Sequence, residues 1–473
     1  MPNSSFKVIL YLFWMALLVS ALQLARFLLQ DPSELTTITH AQLVRDLQQL
    51  EQELLNYSAF ATLNPEFKQQ LATQRAIVEQ RYPKQLSRFQ LSAEIAQMVA
   101  LLNDPGSSVG NWRTAARLPA TLQPMDQHWL ALDSNQQPLD AELPFITHID
   151  GVPLSRWESA ARVFLPHNAS PQQLAQLLSH TYLLRQQIGL PDAANVRLTL
   201  SDLQHHQRSI LKPLTPARVA QQLPMSRWRL LSPEVQLLQT NDLDLFENNR
   251  QLRLDLQKAQ QAATLVIDLR HASGLSSALM LQLAKSHATP SSQPSGFGRY
   301  KRHPKLRNDV LSAYGYQALS QYALFPALKV SLLQAAQPEL SDFFARPPLL
   351  SPKQTPEVSQ QQLLLLIGPD CRLECEWLAH AAADWPNTLL LGSNTSGDYG
   401  RRYSFRLPAS NLNVTISASL AYDRYGHLLS GKGTQVDIDV DDTQRVDWTV
   451  LLQALRQYQQ QSAVPETQNP GKP

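Results

Sequence analysis

The chain has 473 residues, 43% hydrophobic and 17% charged, with a net charge of +2, which excludes a disordered or collagen-like polypeptide and allows several domains with a sizeable core. The near-neutral charge gives no footing for a nucleic-acid partner. Glycine is scarce, at 16 residues, and the only two cysteines, Cys371 and Cys375, exclude a disulfide-dense scaffold and a four-cysteine zinc site.

Residues 8–25 read VILYLFWMALLVSALQLA, without a charge, between Lys7 and Arg26. The run is longer than an ordinary secretory apolar region and nearly spans a hydrocarbon core of about 30 Å. Val19-Ser20-Ala21 would also serve as a cleavage site. Residues 1–30 are therefore expected to be a membrane anchor or a signal peptide. The rest is then an exported body, either facing the periplasm from the bacterial inner membrane or secreted. In that oxidising space Cys371 and Cys375 pair with each other or with another molecule.

Residues 31–105 have a helical pattern, with Leu43, Leu47, Leu50 and Leu54 on one face and Leu91, Ile95, Met98 and Leu102 on another. Residues 106–205 mix strands and turns. Phe145–Leu154 is a strand entering a turn, Val196–Leu200 alternates as a strand, and one helix is expected over 171–187. Three near-continuous apolar runs then predict strands buried on both faces: Thr264–Leu269, Gln362–Ile367 and Thr388–Leu391. Helices expected over 275–285 and 373–383 alternate with them, the pattern of a parallel α/β sheet. Residues 286–361 read as an irregular, Pro/Ser-rich excursion from a 225–460 core, and 462–473 as a disordered tail.

Four blocks in this core resemble the tail-specific, or C-terminal processing, serine peptidase family. Val266–Arg270 resembles the strand leading into its Asn/Gly-rich turn. Leu364–Ala382 resembles the strand and helix that carry its nucleophile, and Leu390–Gly397 the strand and loop that follow. Leu407-Pro408, Val414–Ser417 and Gly431–Val440 resemble its closing segments. The likeness runs from Trp228 to Val450. It implies an α/β fold with a crotonase/Clp-protease-like spiral core, preceded by helices and a small PDZ-like or strand-rich segment. The Ile149-Asp150-Gly151 turn is similar to one in PDZ-like modules. No cofactor or metal is implied.

The family's chemistry does not carry over residue by residue. Glu376 matches the Glu of the family's Ser-x-x-Glu, which places Leu373 at the nucleophile position. Asp384 matches a later acidic position, and Asp398 stands where many members have the base lysine. Members that use histidine carry it in an Asp-Gly-His turn, which reads Asp104-Pro105-Gly106-Ser107 here. The Asn-x-Gly-Gly oxyanion turn has become Ala272-Ser273-Gly274-Leu275, with Gly274 surviving. The family's Cys-x-Ser-x-Cys variant reads Cys371-Arg372-Leu373-Glu374-Cys375. It implies a disulfide pinning the elbow, with a free reactive Cys375 as the alternative.

These substitutions predict a degenerate member, catalytically impaired, that binds peptide or protein C-termini in the cell envelope. The alternative is an active serine-type endopeptidase with a displaced nucleophile, Ser396, helped by Asp398. Ser393 and Thr395 share that loop as turn formers. His271 is expected as a core or turn residue beside Gly274, and His205-His206 as a solvated pair. Arg299, Lys301, Arg302 and Lys305 are expected to form a solvated basic face.

Overall fold

The computed structural model describes residues 37–440, apart from 111–115, 136, 168, 205, 217–224, 307–315, 320–336 and 354–358, together with Trp14, Met15, Leu17, Ser20 and Trp448. The 8–25 run, except for those four helical positions, and the 462–473 tail lie outside the described residues. Among the described residues no helix is long and apolar enough to cross a membrane.

The amino-terminal segment is helical as its leucine spacing requires. Strand β1 (Thr37–Thr39) leads into α1 (His40–Tyr57). Helix α2 (Phe67–Arg81) follows, and then β2 (Gln85–Ser87) leads into α3 (Arg88–Ala100). The β1–β2 pairing is antiparallel and was not expected. Both strands end in a capping box, Thr39 with Gln42 and Ser87 with Gln90, so the sequence signal for each helix start is also the exit from its strand.

Strand β3 (Ser108–Val109) leaves this segment, and β4 (Ala116–Arg117) pairs with β11 (Thr215–Pro216). Between them lie β5 (Thr121–Met125), β6 (His128–Leu132), β7 (Phe145–Ile149), β8 (Val152–Pro153), β9 (Asn195–Ser201) and β10 (Gln207–Pro213). These form an antiparallel sheet in the order β10-β9-β7-β6-β5, with β8 on β7. Helices α4 (Leu154–Arg162), α5 (Pro171–Leu178) and α6 (Thr181–Ile188) accompany it. The single helix expected over 171–187 is broken between α5 and α6. The Ser179 carbonyl accepts from Leu118 N–H at 2.9 Å and Thr181 N–H at 2.9 Å, so it does not continue the helical ladder.

The core sheet has the order β12-β13-β14-β18-β19-β23, formed by β12 (Ser226–Ser232), β13 (Val235–Thr240), β14 (Thr264–Asp268), β18 (Gln362–Ile367), β19 (Thr388–Gly392) and β23 (Ile438–Asp439). It is parallel from β13 onward. The apolar runs explain this placement. Leu363, Leu365 and Ile367 of β18 enter one hydrophobic cluster and Leu364 and Leu366 the cluster on the opposite face. Each such burial stabilises by about 1.5–3 kcal/mol. Helices α7 (Leu245–Asn248), α8 (Arg250–Ala259), α9 (Ala278–His287) and α10 (Glu374–Ala382) connect the strands.

The 286–361 segment is not irregular throughout. It contributes β15 (Gly296–Tyr300), β16 (Gln317–Ala318) and β17 (Phe344–Arg346), which join β22 (Ser419–Tyr422) in an antiparallel sheet ordered β16-β17-β15-β22. All five residues of β15 are buried. A further sheet, β20 (Arg402–Arg406), β21 (Asn413–Ser417) and β3, stitches the amino-terminal segment to the closing hairpin.

Two buried carboxylates reinforce that seam. Asp46 of α1 accepts from the Ala409 and Ser410 N–H groups at 2.8 and 2.9 Å. Asp104 accepts from the Ser417 N–H at 2.7 Å and hydroxyl at 2.8 Å. Asp46→Ala should destabilise the protein by about 2–4 kcal/mol, because two buried amides lose their acceptor. Urea unfolding checks this; a midpoint unchanged at constant m-value would contradict the role of Asp46 in the seam.

Candidate functional site

Three parallel strands end side by side, and the turns that follow them meet. Strand β14 delivers the 269–276 turn, β18 the 368–373 turn, and β19 the 393–398 loop. The carboxyl ends of parallel strands are where α/β sheets place ligand sites.

Leu373 lies at the centre of this junction. It precedes α10 with φ 60° and ψ −116°. That combination belongs to the first central residue of a type II′ turn, where glycine is favoured and a Cβ costs energy. Three backbone hydrogen bonds hold it. Leu373 N–H donates to the Asp398 carbonyl at 2.8 Å, Glu374 N–H to the Gly274 carbonyl at 3.1 Å, and Arg372 N–H to the Ala272 carbonyl at 2.9 Å. A Cys371–Cys375 disulfide, with Cα atoms 5.3 Å apart, spans the elbow, so the intramolecular pairing is realised. Both cysteines are buried, and a free Cys375 is ruled out.

Glu376 binds the neighbouring loop. Its fully buried carboxylate accepts from the Thr395 hydroxyl at 2.5 Å, Gly397 N–H at 2.6 Å and Asp398 N–H at 2.9 Å. Gly397 has φ 79°, and a Cβ there would stand 2.5 Å from Lys432 N, so the loop requires glycine to close against 431–433. Burial pushes Glu376 up to about 8, although the three donated bonds favour its ionised form.

Asp398 is fully buried and paired with Arg402, with the Arg372 Nε 4.0 Å away. Arg402 also donates to the Ser417 hydroxyl at 3.1 Å, which itself bonds Asp104. A Cβ on Gly106 would fall 1.5 Å from Arg402 Nη1 and 2.6 Å from Asp398 Oδ1. Thus the 398 position and the 104–107 turn, the two places read as former base positions, adjoin one Asp398–Arg402–Asp104 network. Burial raises the Asp104 pKa, with Arg402 opposing and Asp398 adding to the rise.

The Gly274 turn is turned inward. Its carbonyl takes the first amide after the elbow, and the Leu275 and Ser276 N–H groups donate to Asp244 Oδ1 at 2.6 and 2.8 Å. This is why α9 starts at Ala278 rather than at Leu275. Behind the elbow, Glu374 pairs with buried Arg346, 2.9 Å from Nη1 to Oε1, and Arg346 lies 4.6 Å over the Trp377 ring.

Leu373, Gly274 and Asp398 meet at the elbow, with Glu376 and Thr395 beside them, and other residues do not join them. Asp384 is exposed and pairs with Arg424 at 2.9 Å. Half-buried Ser396 has no hydrogen bond to a base among the described residues. The Ser393 hydroxyl is buried with no hydrogen-bond partner among the described residues. His271 is half-exposed beside Asp370, at 3.4 Å. His206 is exposed and pairs with Asp202 at 2.7 Å; His205 lies outside the described residues. The basic face is corrected at two of its four positions: Arg302 and Lys305 are exposed as a solvated face requires, but the other two are not. Arg299 is buried, donating to the Ser341 carbonyl at 2.8 Å and lying 4.6 Å over Phe343, and buried Lys301 pairs with Glu339. Arg299 turns inward within β15, and Lys301 follows the strand in a bridge to Leu340. Asp244, Arg346 and Arg402 were missed, because their partners are remote in sequence or, for Arg402, carry no motif. Among the described residues no His, Cys, Asp and Glu group is arranged to hold a metal ion.

A cleft of about 300 Å³ opens beside the elbow. Val99, Val109, Phe164 and Leu177 form apolar walls, and Asp370 and Arg372 reach it from the 368–373 turn. Arg372 donates to Asp370 at 2.7 Å. Burial would raise Asp370, but His271 and Arg372 outweigh it and hold the carboxyl at about 2.

A parallel sheet with an elbow at its carboxyl end, a second antiparallel sheet and a helical amino-terminal segment make up an α/β fold that the chain shares with the solved structures of mature CPAF. Among solved structures, the chain is similar to mature CPAF, at 15% identity and a TM-score of 0.60, covering 85% of this chain and 93% of that one. It is likewise similar to mature CPAF complexed with lactacystin, at 16% identity and a TM-score of 0.60, covering 89% and 98%. The photosystem II D1 C-terminal processing protease aligns at 14% identity and a TM-score of 0.39, over 85% and 94%. No protein-family model and no curated protein matches the sequence.

Two predictions follow from the elbow and its anchor. Leu373→Gly should be more stable than Leu373→Ala by about 1 kcal/mol, the reverse of the usual order, because only glycine relieves the positive φ. Equal stability, or a more stable alanine variant in urea unfolding, would remove the strain argument. For Glu376, the folded pKa of about 8 exceeds the ordinary 4.5, so the folded state holds a proton that the unfolded state has released. That contribution to stability is present at low pH and is lost as pH rises through this window. Glu376→Gln should flatten the decline between pH 5 and 8; an unchanged slope would show that other groups cause it.

Proposed function

We propose that this is an exported, membrane-anchored protein with a tail-specific protease fold that is catalytically impaired and works by binding peptide or protein chains. The observation carrying this reading is Leu373: the strained tip of the elbow bears a side chain with no nucleophilic atom. Three further features support it. The 398 carboxylate is bound into an ion pair, the 104–107 turn has no histidine, and the Glu374 amide is used by the Gly274 carbonyl instead of being available to a substrate oxygen. The uncharged 8–25 run would tether the body to the bacterial inner membrane, facing the periplasm, or be removed to release it.

A fluorophosphonate probe and a fluorogenic peptide library test the chemistry. The full chain should neither label nor cleave, and Leu373→Ser alone should not gain activity, because base and oxyanion donors are also lacking. Labelling that disappears in Ser396→Ala would overturn the impaired reading in favour of a displaced nucleophile. Alkaline extraction of membranes carrying the full chain tests the tether. Retention supports the anchor, and a shortened soluble product supports a cleaved signal.

A further inference from the structure

We propose that the cleft beside the elbow takes an extended, apolar, uncharged segment from the interior of a polypeptide, seated along the open edge of β3, rather than a free chain end. This deepens the peptide-binding reading above and rests on it.

The charge around the cleft argues first. A free carboxylate needs an available cation. Arg372, which lines the cleft, is already committed to Asp370 at 2.7 Å, with Asp398 at 4.0 Å from its Nε. An incoming carboxylate would have to displace Asp370 and would also face Asp104, a second acid in the lining. His180 also lines the cleft. Burial and the nearby Arg117 hold it down to about 4, so it carries no charge at neutral pH. Arg117 itself is outside the lining. A cationic segment fares no better. Asp370 has His271 and Arg372, and Asp104 is taken by Ser417 and by the Gly106 N–H at 2.9 Å. Arg372 offsets Asp370, and Asp104, the remaining acid, is 1% exposed with its oxygens held by Gly106 and Ser417. The surface left for a ligand is the apolar wall with the Ser107 and Ser108 edge and the Gln173 and Gln176 side chains.

The backbone argues second. Ser108 and Val109 line the cleft, and β3 is the end strand of its sheet, paired with β21 on one side and with no strand on the other among the described residues. An added strand would gain main-chain hydrogen bonds from any sequence, while alternate side chains enter the apolar walls. The volume is at the small end of ligand clefts, which span about 300–1,000 Å³. A few residues would fit, which suits a local segment more than a folded domain.

The test uses the full chain and two matched libraries of fluorescent octapeptides that alternate an apolar residue with serine. One library is acetylated and amidated; the other has free carboxyl ends. Capped peptides should bind, with free-carboxylate partners within about threefold. Gln176→Glu, on an exposed position, should weaken capped binding about tenfold without lowering the melting temperature, and Arg117→Gln should leave it unchanged. Free-carboxylate peptides binding more than tenfold tighter would overturn this inference and leave the peptide-binding reading standing. No binding by either library would overturn both. Amide-exchange protection of 108–109 that follows protein concentration instead of peptide would assign the edge to a second copy of the chain and overturn the proposal.

Discussion

The site depends on one backbone conformation. Leu373 is held at a positive φ that a side chain disfavours by about 1–3 kcal/mol, and the surroundings must supply that energy. They do so from every direction: the 398 and 274 carbonyls, the 371–375 disulfide, and the Glu374–Arg346 pair. Glu376 extends the constraint. Its three accepted bonds fix the 395–398 loop, and that loop presents the carbonyl that takes the Leu373 amide. Strain at an elbow serves chemistry when the tip is a nucleophile. Here the tip is a leucine, and the turn that carries it forms part of the wall of a cleft.

The charges around the elbow are paired with one another. A base must be free to take and return a proton, whereas Asp398 is buried against Arg402. Arg402 in turn occupies the space beside Gly106 and touches the Ser417 hydroxyl held by Asp104. The network joins the end of the helical segment to the loop after β19, and so ties one cleft wall to the elbow. Asp244 does the same for the 274–276 turn by taking two of its amides. In the reading proposed here, groups that would face a substrate in an active enzyme are spent on one another.

Much of the frame was legible in the sequence. The runs at 264–269 and 362–367 could only be strands buried on both faces, and the leucine spacing of 40–102 could only be helical. Leu373, Gly274 and Asp398 were brought together by motif order, and the cysteines bracketing 373 form the disulfide. What misled were segments whose partners lie far away. Strand β15 reads as part of an irregular stretch because its residues become strand only on pairing with β22, and its glycines answer to Trp377 and Tyr316. The basic cluster at 299–305 looked solvated because nothing local indicates that Arg299 and Lys301 turn inward.

The sequence by itself therefore determined the parallel sheet and the helical segment, since each follows from local apolar periodicity, whereas the elbow at 373 and the leucine at its tip were placed by the motif resemblance. Only the tertiary structure decided that the Gly274 carbonyl faces the elbow, that Asp244 takes the turn's amides, and that Arg402 bridges Asp398 to the Asp104 turn. It also decided that a cleft lined in part by β3, the end strand of its sheet among the described residues, lies beside them. Those features are pairings between groups distant along the chain, and for a buried polar group the partner is chosen by whichever donor or acceptor the packing brings within reach.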